Sequence, residues 1–217
     1  MSSSSSSSSG GMPGAKRFVR SRFGAETPAW QRVGSEAVAD CRVFQVRRDR
    51  SISPRDGREH DFFCIEAPDW INVIPLTRHG EVVMIEQYRH GTNEVKLEIP
   101  GGIVDEGEEA REAATRELLE ETGYEAADVL MLGRTRPNPA LQNNWLYSFL
   151  ARGSSFQRAL VLDATEHTAV RLVLLADVPA LIADGTISHS LVVASFYWLS
   201  LYKNSLEPGA WSLESGL

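Results

Sequence analysis

The sequence predicts an α/β fold in which a mixed sheet lies between helices and follows a small N-terminal antiparallel β unit. Segments with the apolar pattern of strands stand on both sides of a helix-forming stretch at 108–122. A second helix is predicted late in the chain, from about residue 191 to residue 202. Strands that flank helices in this order need both faces of their sheet covered, which favours a layered architecture.

The β unit comes first. Residues 41–47 alternate apolar and polar side chains, as a half-buried strand does, and 60–66 form a return strand after the turn signal Pro-Arg-Asp-Gly at 54–57. The β unit is therefore predicted as a hairpin. The other strands are predicted at 70–76, 81–89, 96–99, 129–135, 145–151 and 170–175.

The helices have clear boundaries. The 108–122 stretch is rich in Glu, Ala, Arg and Leu, and Gly123 follows it where a helix C-cap favours glycine. A short helix at 178–184 stops at Gly185. The expected organisation is a flexible tail and arm at 1–35, the β unit at 36–67, the main domain at 68–203 and a C-terminal tail at 204–217.

Composition excludes several classes of protein. The 217 residues carry 22 Lys and Arg against 29 Asp and Glu, a net charge of −7, which disfavours nucleic acid as a partner. Cys41 and Cys64 are too few for a disulfide scaffold or a structural zinc site, so we expect a reducing, cytoplasmic location. We expect no membrane partner and no secretory signal, and the serine run after Met1 predicts a flexible tail.

The acidic helix is the strongest functional signal. Glu117, Glu120 and Glu121 are spaced i, i+3 and i+4 and share one helix face, where like charges repel unless a cation lies among them. Carboxylate oxygens are the ligands that Mg²⁺ and Mn²⁺ prefer. The preceding Gly101-Gly102 pair allows a ligand to approach the backbone closely. The alternative is a solvated acidic helix.

These carboxylates belong to a longer pattern of fixed spacing. Its residues, in order, are Gly102, Glu108, Arg116, Glu117, Leu118, Glu120, Glu121 and Gly123. The pattern resembles the Nudix hydrolase box, G-x5-E-x7-R-E-U-x-E-E-x-G-U with U a bulky aliphatic residue. The one departure is Tyr124 at the last aliphatic position, where a large and largely apolar side chain is retained. The resemblance implies the family's α/β/α sandwich and hydrolysis of a diphosphate linked to another moiety.

The resemblance also implies roles for the residues of the box. A divalent ion, Mg²⁺ or Mn²⁺, is expected as cofactor, with ligands from Glu117, Glu120, Glu121 and the carbonyl of Gly101. Glu117 and Glu121 are the principal ligands in this interpretation, and Glu120 is an additional one. Arg116 is expected to orient the glutamates, and Glu108 to contribute from further out.

The flanking residues indicate a branch of the family. Arg89, Glu98 and Pro139, which lies sixteen residues after Gly123, resemble the ADP-ribose and nucleoside-diphosphate-sugar pyrophosphatases. The resemblance implies that Arg89 contacts phosphate and that Glu98 lies beside the metal site. It implies a nucleoside-diphosphate sugar as substrate and a homodimer in which the β unit exchanges between subunits. Gly102 and Pro139 are further expected substrate contacts.

Two substrate-facing roles rest on weaker signals. Related pyrophosphatases draw a general base from a late mobile loop, which indicates Glu166, with His167 as an alternative. Base stacking needs an aromatic face, for which Phe62 and Trp70 are the preferred candidates. Trp30 and Phe63 are further candidates, although aromatic residues in strands are more often part of the core.

Two other functions stay open at this point. One is a Nudix hydrolase for another nucleotide, such as an oxidised nucleoside triphosphate. The other is a Nudix-like sensor that holds a nucleotide sugar without turnover. A sensor can lose metal-binding glutamates, whereas this chain keeps every glutamate of the box.

Overall fold

The computed structural model describes residues 27–158 and 168–206. The predicted serine-rich tail, Glu166, His167 and nearly all of the predicted C-terminal tail lie outside these residues. An antiparallel sheet comes first, in the order β1 (Gln31–Asp40), β2 (Gln45–Ile52) and β3 (Glu59–Glu66). The predicted hairpin corresponds to β2 and β3, whereas β1 starts at Gln31, within the range expected to be an arm.

The second sheet has seven strands and is mixed. Its path runs through β12 (Thr168–Leu174), β5 (Glu81–Arg89), β4 (Trp70–Leu76), β10 (Leu146–Arg152) and β9 (Asp128–Thr135), with β6 (Glu94–Glu98) paired to β5 and β7 (Gly101–Ile103) paired to β4. The β4 and β10 strands are parallel, and the other pairs are antiparallel. A separate short pair joins β8 (Tyr124–Glu125) and β11 (Ser155–Phe156).

Helices cover both faces of the mixed sheet. These are α1 (Ala110–Thr122) on one face and α2 (Val178–Ala183) and α3 (Ser190–Ser205) on the other. The β4 strand feeds both cores, because successive side chains of a strand point to opposite faces. Ile71 and Val73 join Leu118 of α1, whereas Ile74 and Leu76 join residues of α3. The predicted α/β/α sandwich is confirmed.

Most predicted elements match the structure closely, but some were missed. The strands predicted at 70–76 and 81–89 have the observed bounds, and the three predicted helices are present. The β2 strand begins four residues later than predicted, and β1, β7, β8 and β11 carry no strong periodic signal. In the described part of the chain, no helix is long and apolar enough to cross a membrane.

The β7 strand and α1 bring the box together. Gly101 and Gly102 pair with Asn72 and Ile71 of β4, so the loop before α1 runs along the centre of the sheet. Glu109 and Glu112 form a capping box at the start of α1. At its end, Gly123 has φ 73° and donates its N–H to the Leu119 carbonyl at 2.9 Å, the glycine C-cap that the sequence predicts.

Candidate active site

Arg116 lies among the carboxylates of the box. Its guanidinium donates to Glu108 through Nε and Nη2, both at 3.0 Å, and to the Ile103 carbonyl at 3.1 Å. Its Nη1 donates to Glu117 at 2.8 Å and to Glu120 at 3.1 Å. The expectation that Arg116 orients the glutamates agrees with these contacts, since one guanidinium holds three carboxylates.

The charges of this cluster stabilise one another. The hydrogen bond to Glu108 contributes most to raising the pKa of Arg116 far above its usual value; burial opposes the shift, and Glu117 and Glu120 add to it. The same bond from Arg116 lowers the pKa of Glu108. Arg116 and Glu108 are therefore both ionised throughout the neutral range.

Glu117 and Glu121 lie against the Gly101-Gly102 backbone. The Glu121 side chain accepts the Gly101 N–H at 2.9 Å, and Glu121 is only 3% exposed. A Cβ on Gly102 would lie 2.2 Å from Oε1 of Glu117, so only glycine leaves room for this carboxylate. The side chain of Glu120 is 49% exposed and lies further out.

This donor set is chemically suited to a divalent ion. Carboxylate oxygens held against a glycine backbone suit a hard cation that also binds phosphate. Within the described residues, no three His, Cys, Asp or Glu side chains are grouped as a metal site. Glu108, Glu117 and Glu120 are bonded to Arg116 instead, and Glu121 accepts the Gly101 N–H. The assignment of Glu117, Glu120, Glu121 and the Gly101 carbonyl as ligands therefore stays a prediction.

A cleft of about 640 Å³ opens beside the two glycines. Among its lining residues are Trp70, Asn72, Arg89, Lys96, Glu98, Gly101, Gly102 and His189. Arg89 pairs with Glu98 through two hydrogen bonds, at 3.0 and 2.7 Å. Four of the predicted substrate contacts, Arg89, Glu98, Gly102 and Trp70, are thus brought to one cleft.

Glu98 has a second partner that the sequence did not indicate. His189 Nδ1 lies 3.0 Å from Oε2 of Glu98. Burial alone would raise the pKa of Glu98, which is 2% exposed, but hydrogen bonds from His189 and Arg89 outweigh it and lower the pKa to about 2. His189 does occupy the N-cap position of α3, but its side chain makes no capping hydrogen bond.

Other candidates lie away from the cleft. Phe62 is 42% exposed on the N-terminal sheet and makes an edge-to-face contact with Trp30 at 5.1 Å. Phe63 is exposed on the same sheet, and Pro139 is exposed in the loop before β10. Among the described residues that line the cleft, none of these four appears. Their roles, like that of Glu166, stay predictions.

Comparisons with known proteins agree with the box. The NUDIX domain matches residues 67–196. The chain is 29% identical over 170 residues to a methanol dehydrogenase activator of Bacillus methanolicus, covering 78% of this chain and 91% of that protein. It is 28% identical over 177 residues to an ADP-ribose pyrophosphatase of Bacillus subtilis (strain 168), covering 81% and 92%.

A solved structure shares the fold. A crystal structure of an ADP compounds hydrolase superposes with a TM-score of 0.73, covering 83% of this chain and 97% of that one at 21% identity. The likeness extends beyond the NUDIX match, so it includes part of the chain outside residues 67–196. With the intact box, its carboxylates held beside a cleft, and the family match over most of the chain, the protein belongs to the NUDIX family and is a Nudix hydrolase.

Proposed function

We propose that the chain hydrolyses the diphosphate linkage of ADP-ribose or a related nucleoside-diphosphate sugar, with a divalent ion, to a nucleoside monophosphate and a sugar phosphate. The observation that carries the proposal is the cleft in which Arg89 and Glu98 adjoin the Gly101-Gly102 backbone. The similarity to an ADP-ribose pyrophosphatase over 81% of this chain supports the same substrate class.

The cleft offers the charges that a diphosphate needs. Arg89 and Lys96 line it, and a guanidinium and an ammonium group are suited to phosphate oxygens. Glu98 holds Arg89 in place through two hydrogen bonds, which fixes the direction of the guanidinium before a ligand arrives. Gly101 and Gly102 line the same cleft, and the absence of their side chains leaves room for Asn72 of β4 and for the Glu117 carboxylate.

The box supplies the metal chemistry in this proposal. Glu117, Glu121 and Glu120 would hold Mg²⁺ or Mn²⁺, which when bound stabilises negative charge on the diphosphate. The reaction forms a bond between a water oxygen and one phosphorus and breaks the bond from that phosphorus to the bridging oxygen. Arg116 orients the glutamates through its hydrogen bonds to Glu108, Glu117 and Glu120.

The water must lose a proton, and we propose Glu166 as the general base. It precedes β12, and Thr168, the first residue of that strand, contacts the Glu121 carbonyl at 3.5 Å. The chain therefore returns to the end of α1 two residues after Glu166. We expect Glu166→Gln to reduce kcat by about 10²- to 10⁴-fold at unchanged stability; equal activity in Glu166→Gln would exclude this role.

We also propose a homodimer in the cytoplasm. The N-terminal sheet supports the dimer, since every residue of β1 is exposed and Trp30, Phe62 and Phe63 lie uncovered on the sheet. Sedimentation at micromolar protein concentration tests it, with a monomer as the contrary result. The two free cysteines, Cys41 and Cys64, agree with a reducing compartment.

The decisive experiment is a substrate panel with Mg²⁺ or Mn²⁺: ADP-ribose, ADP-glucose, GDP-mannose, NADH and an oxidised nucleoside triphosphate, scored for released monophosphate. We expect fast release from ADP-ribose or another nucleotide sugar, lost in Glu121→Gln and retained in the exposed control Glu125→Gln. Faster turnover of the triphosphate would replace the proposed substrate class. Binding of nucleotide sugars without turnover would replace the enzyme with a sensor.

A further inference from the structure

The Glu98–His189 contact joins distant parts of the chain at the cleft. The two residues are 91 positions apart, one at the end of β6 and the other at the start of α3. The His189 carbonyl accepts hydrogen bonds from Val192 and Val193 at 3.0 and 3.1 Å, which fixes the backbone of His189 to the first turn of α3. Backbone and ring are therefore both held, and the ring lines the cleft.

The hydrogen bond to Glu98 determines which ring nitrogen carries the proton. An ionised carboxylate only accepts hydrogen bonds, so Nδ1 of His189 must be the donor. In the neutral imidazole, Nε2 on the opposite edge of the ring is then an acceptor. This Nε2 has no hydrogen-bond partner among the residues that the structure describes, and the side chain is 35% exposed.

We propose that Nε2 of His189 accepts a hydrogen bond from a sugar hydroxyl of the substrate, which makes His189 a residue that determines specificity for sugar-bearing diphosphates. This inference rests on the proposed function and adds a named contact to it.

The chemistry of the ligand favours a hydroxyl over a phosphate at this position. An ionised diphosphate has no proton to donate to an acceptor nitrogen, whereas a ribose hydroxyl has one. The cationic groups that suit phosphate, Arg89 and Lys96, line the same cleft. Glu98 bridges Arg89 and His189 with its two oxygens, so one buried carboxylate orients a phosphate-binding group and a hydroxyl-binding group side by side.

The test separates the two nitrogens of the ring. In His189→Asn the side-chain amide can still donate to Glu98 near the place of Nδ1, but the acceptor at Nε2 is gone. His79→Asn in an exposed turn is the matched control. The kcat/KM is measured at pH 8.5 with ADP-ribose, with a simple alkyl ester of ADP that lacks the distal sugar, and with the 2′,3′-dideoxyadenosine analogue of ADP-ribose.

We expect His189→Asn to lose about tenfold in kcat/KM on ADP-ribose, with an unchanged unfolding midpoint, while His79→Asn matches the wild type. The loss should vanish on the analogue that lacks the contacted hydroxyl, which identifies the distal or the adenosine ribose as its source. An equal loss on all three substrates, or no loss on ADP-ribose, would overturn the proposal. If no turnover occurs, the proposed function fails, but the role of His189 is still tested. The affinities of His189→Asn and the wild type for the same three ligands are then compared in metal-free buffer.

Discussion

Two adjacent glycines should respond in opposite ways to the same substitution. In Gly102→Ala, the new Cβ would lie 2.2 Å from Oε1 and 2.4 Å from Cδ of Glu117, against 3.4–4 Å for ordinary contact. The Glu117 carboxylate must therefore retreat by about 1 Å, and a misplacement of about 1 Å in an active site can reduce the rate about 10²-fold. Because this carboxylate ends a flexible side chain, we expect little change in stability.

Gly101→Ala meets a different obstacle. Its Cβ would lie 2.5 Å from the Ile71 carbonyl and 2.5 Å from Oδ1 of Asn72. The carbonyl belongs to a buried central strand and cannot move without disturbing the sheet. We expect this variant to lose about 1–3 kcal/mol in the free energy of unfolding, the usual cost of overpacking a core.

The assay pairs urea unfolding with kcat/KM on ADP-ribose at saturating Mg²⁺. Gly34→Ala is the control, since its Cβ would lie 3.8 Å from Cβ of Arg50, an ordinary contact. Gly102→Ala should be as stable as Gly34→Ala but should have a lower kcat/KM. Gly101→Ala should unfold at a lower urea concentration than either of them. If Gly102→Ala stays as active as the control, the close packing of Glu117 on the backbone has no role in the reaction. If Gly102→Ala is destabilised as much as Gly101→Ala, the Glu117 side chain does not relieve the clash by moving, and the reasoning is wrong.

Three further predictions concern stability. The pKa of Glu98 falls from its usual 4.5 to about 2 in the folded chain, so the contribution of this carboxylate to the free energy of unfolding is complete above pH 4.5 and is lost as the pH falls through 2. Urea unfolding of the wild type should therefore show a decrease of about 2 kcal/mol in the free energy of unfolding between pH 5 and pH 2.5, and Glu98→Gln should lack this decrease. Ser195→Ala removes a buried hydroxyl bonded to Asn72 and Ser148, at 3.2 and 2.9 Å, and should cost about 1–3 kcal/mol of unfolding free energy, with a cost near zero as the contrary result. Gly133→Ala would place a Cβ 2.5 Å from the indole of Trp198 and should lower the unfolding midpoint. A Trp198→Leu change in the same chain removes the indole and should restore the midpoint.

The sequence predicts the elements whose signal is local. The strands at Trp70–Leu76 and Glu81–Arg89 are apolar runs between turn signals, and α1 has a helix-forming composition with a glycine at its end. The β7 strand has only three residues, two of them glycine, so it has no periodicity to detect. It exists because Gly101 and Gly102 can lie flat against Asn72 and Ile71, which is a property of the pair of strands.

The predicted site shows the same division. The box places Glu117 and Glu121 on one side of α1, since helical spacing alone brings i and i+4 together. Arg116 reaches Glu120 by the same rule, at 3.1 Å. The contact of Arg116 with Glu108 depends instead on the loop between β7 and α1, whose path only the resemblance implies.

No local pattern could have assigned His189 to the site. In the sequence it precedes an apolar helix, and a helix start is the simplest interpretation of such a residue. Only the fold shows that α3 lies on the same face of the sheet as the Asn72 side chain, to which Ser195 is bonded at 3.2 Å. His189, at the N-cap of α3, therefore reaches the end of β6. Glu98 is the link, because a buried carboxylate needs partners and takes one from each side, Arg89 from its own hairpin and His189 from across the cleft. The box thus accounts for the glutamates that the proposed function assigns to the metal, while the groups proposed to contact the substrate lie in β5 and β6 and at the N-cap of α3, where the sequence gives no common motif.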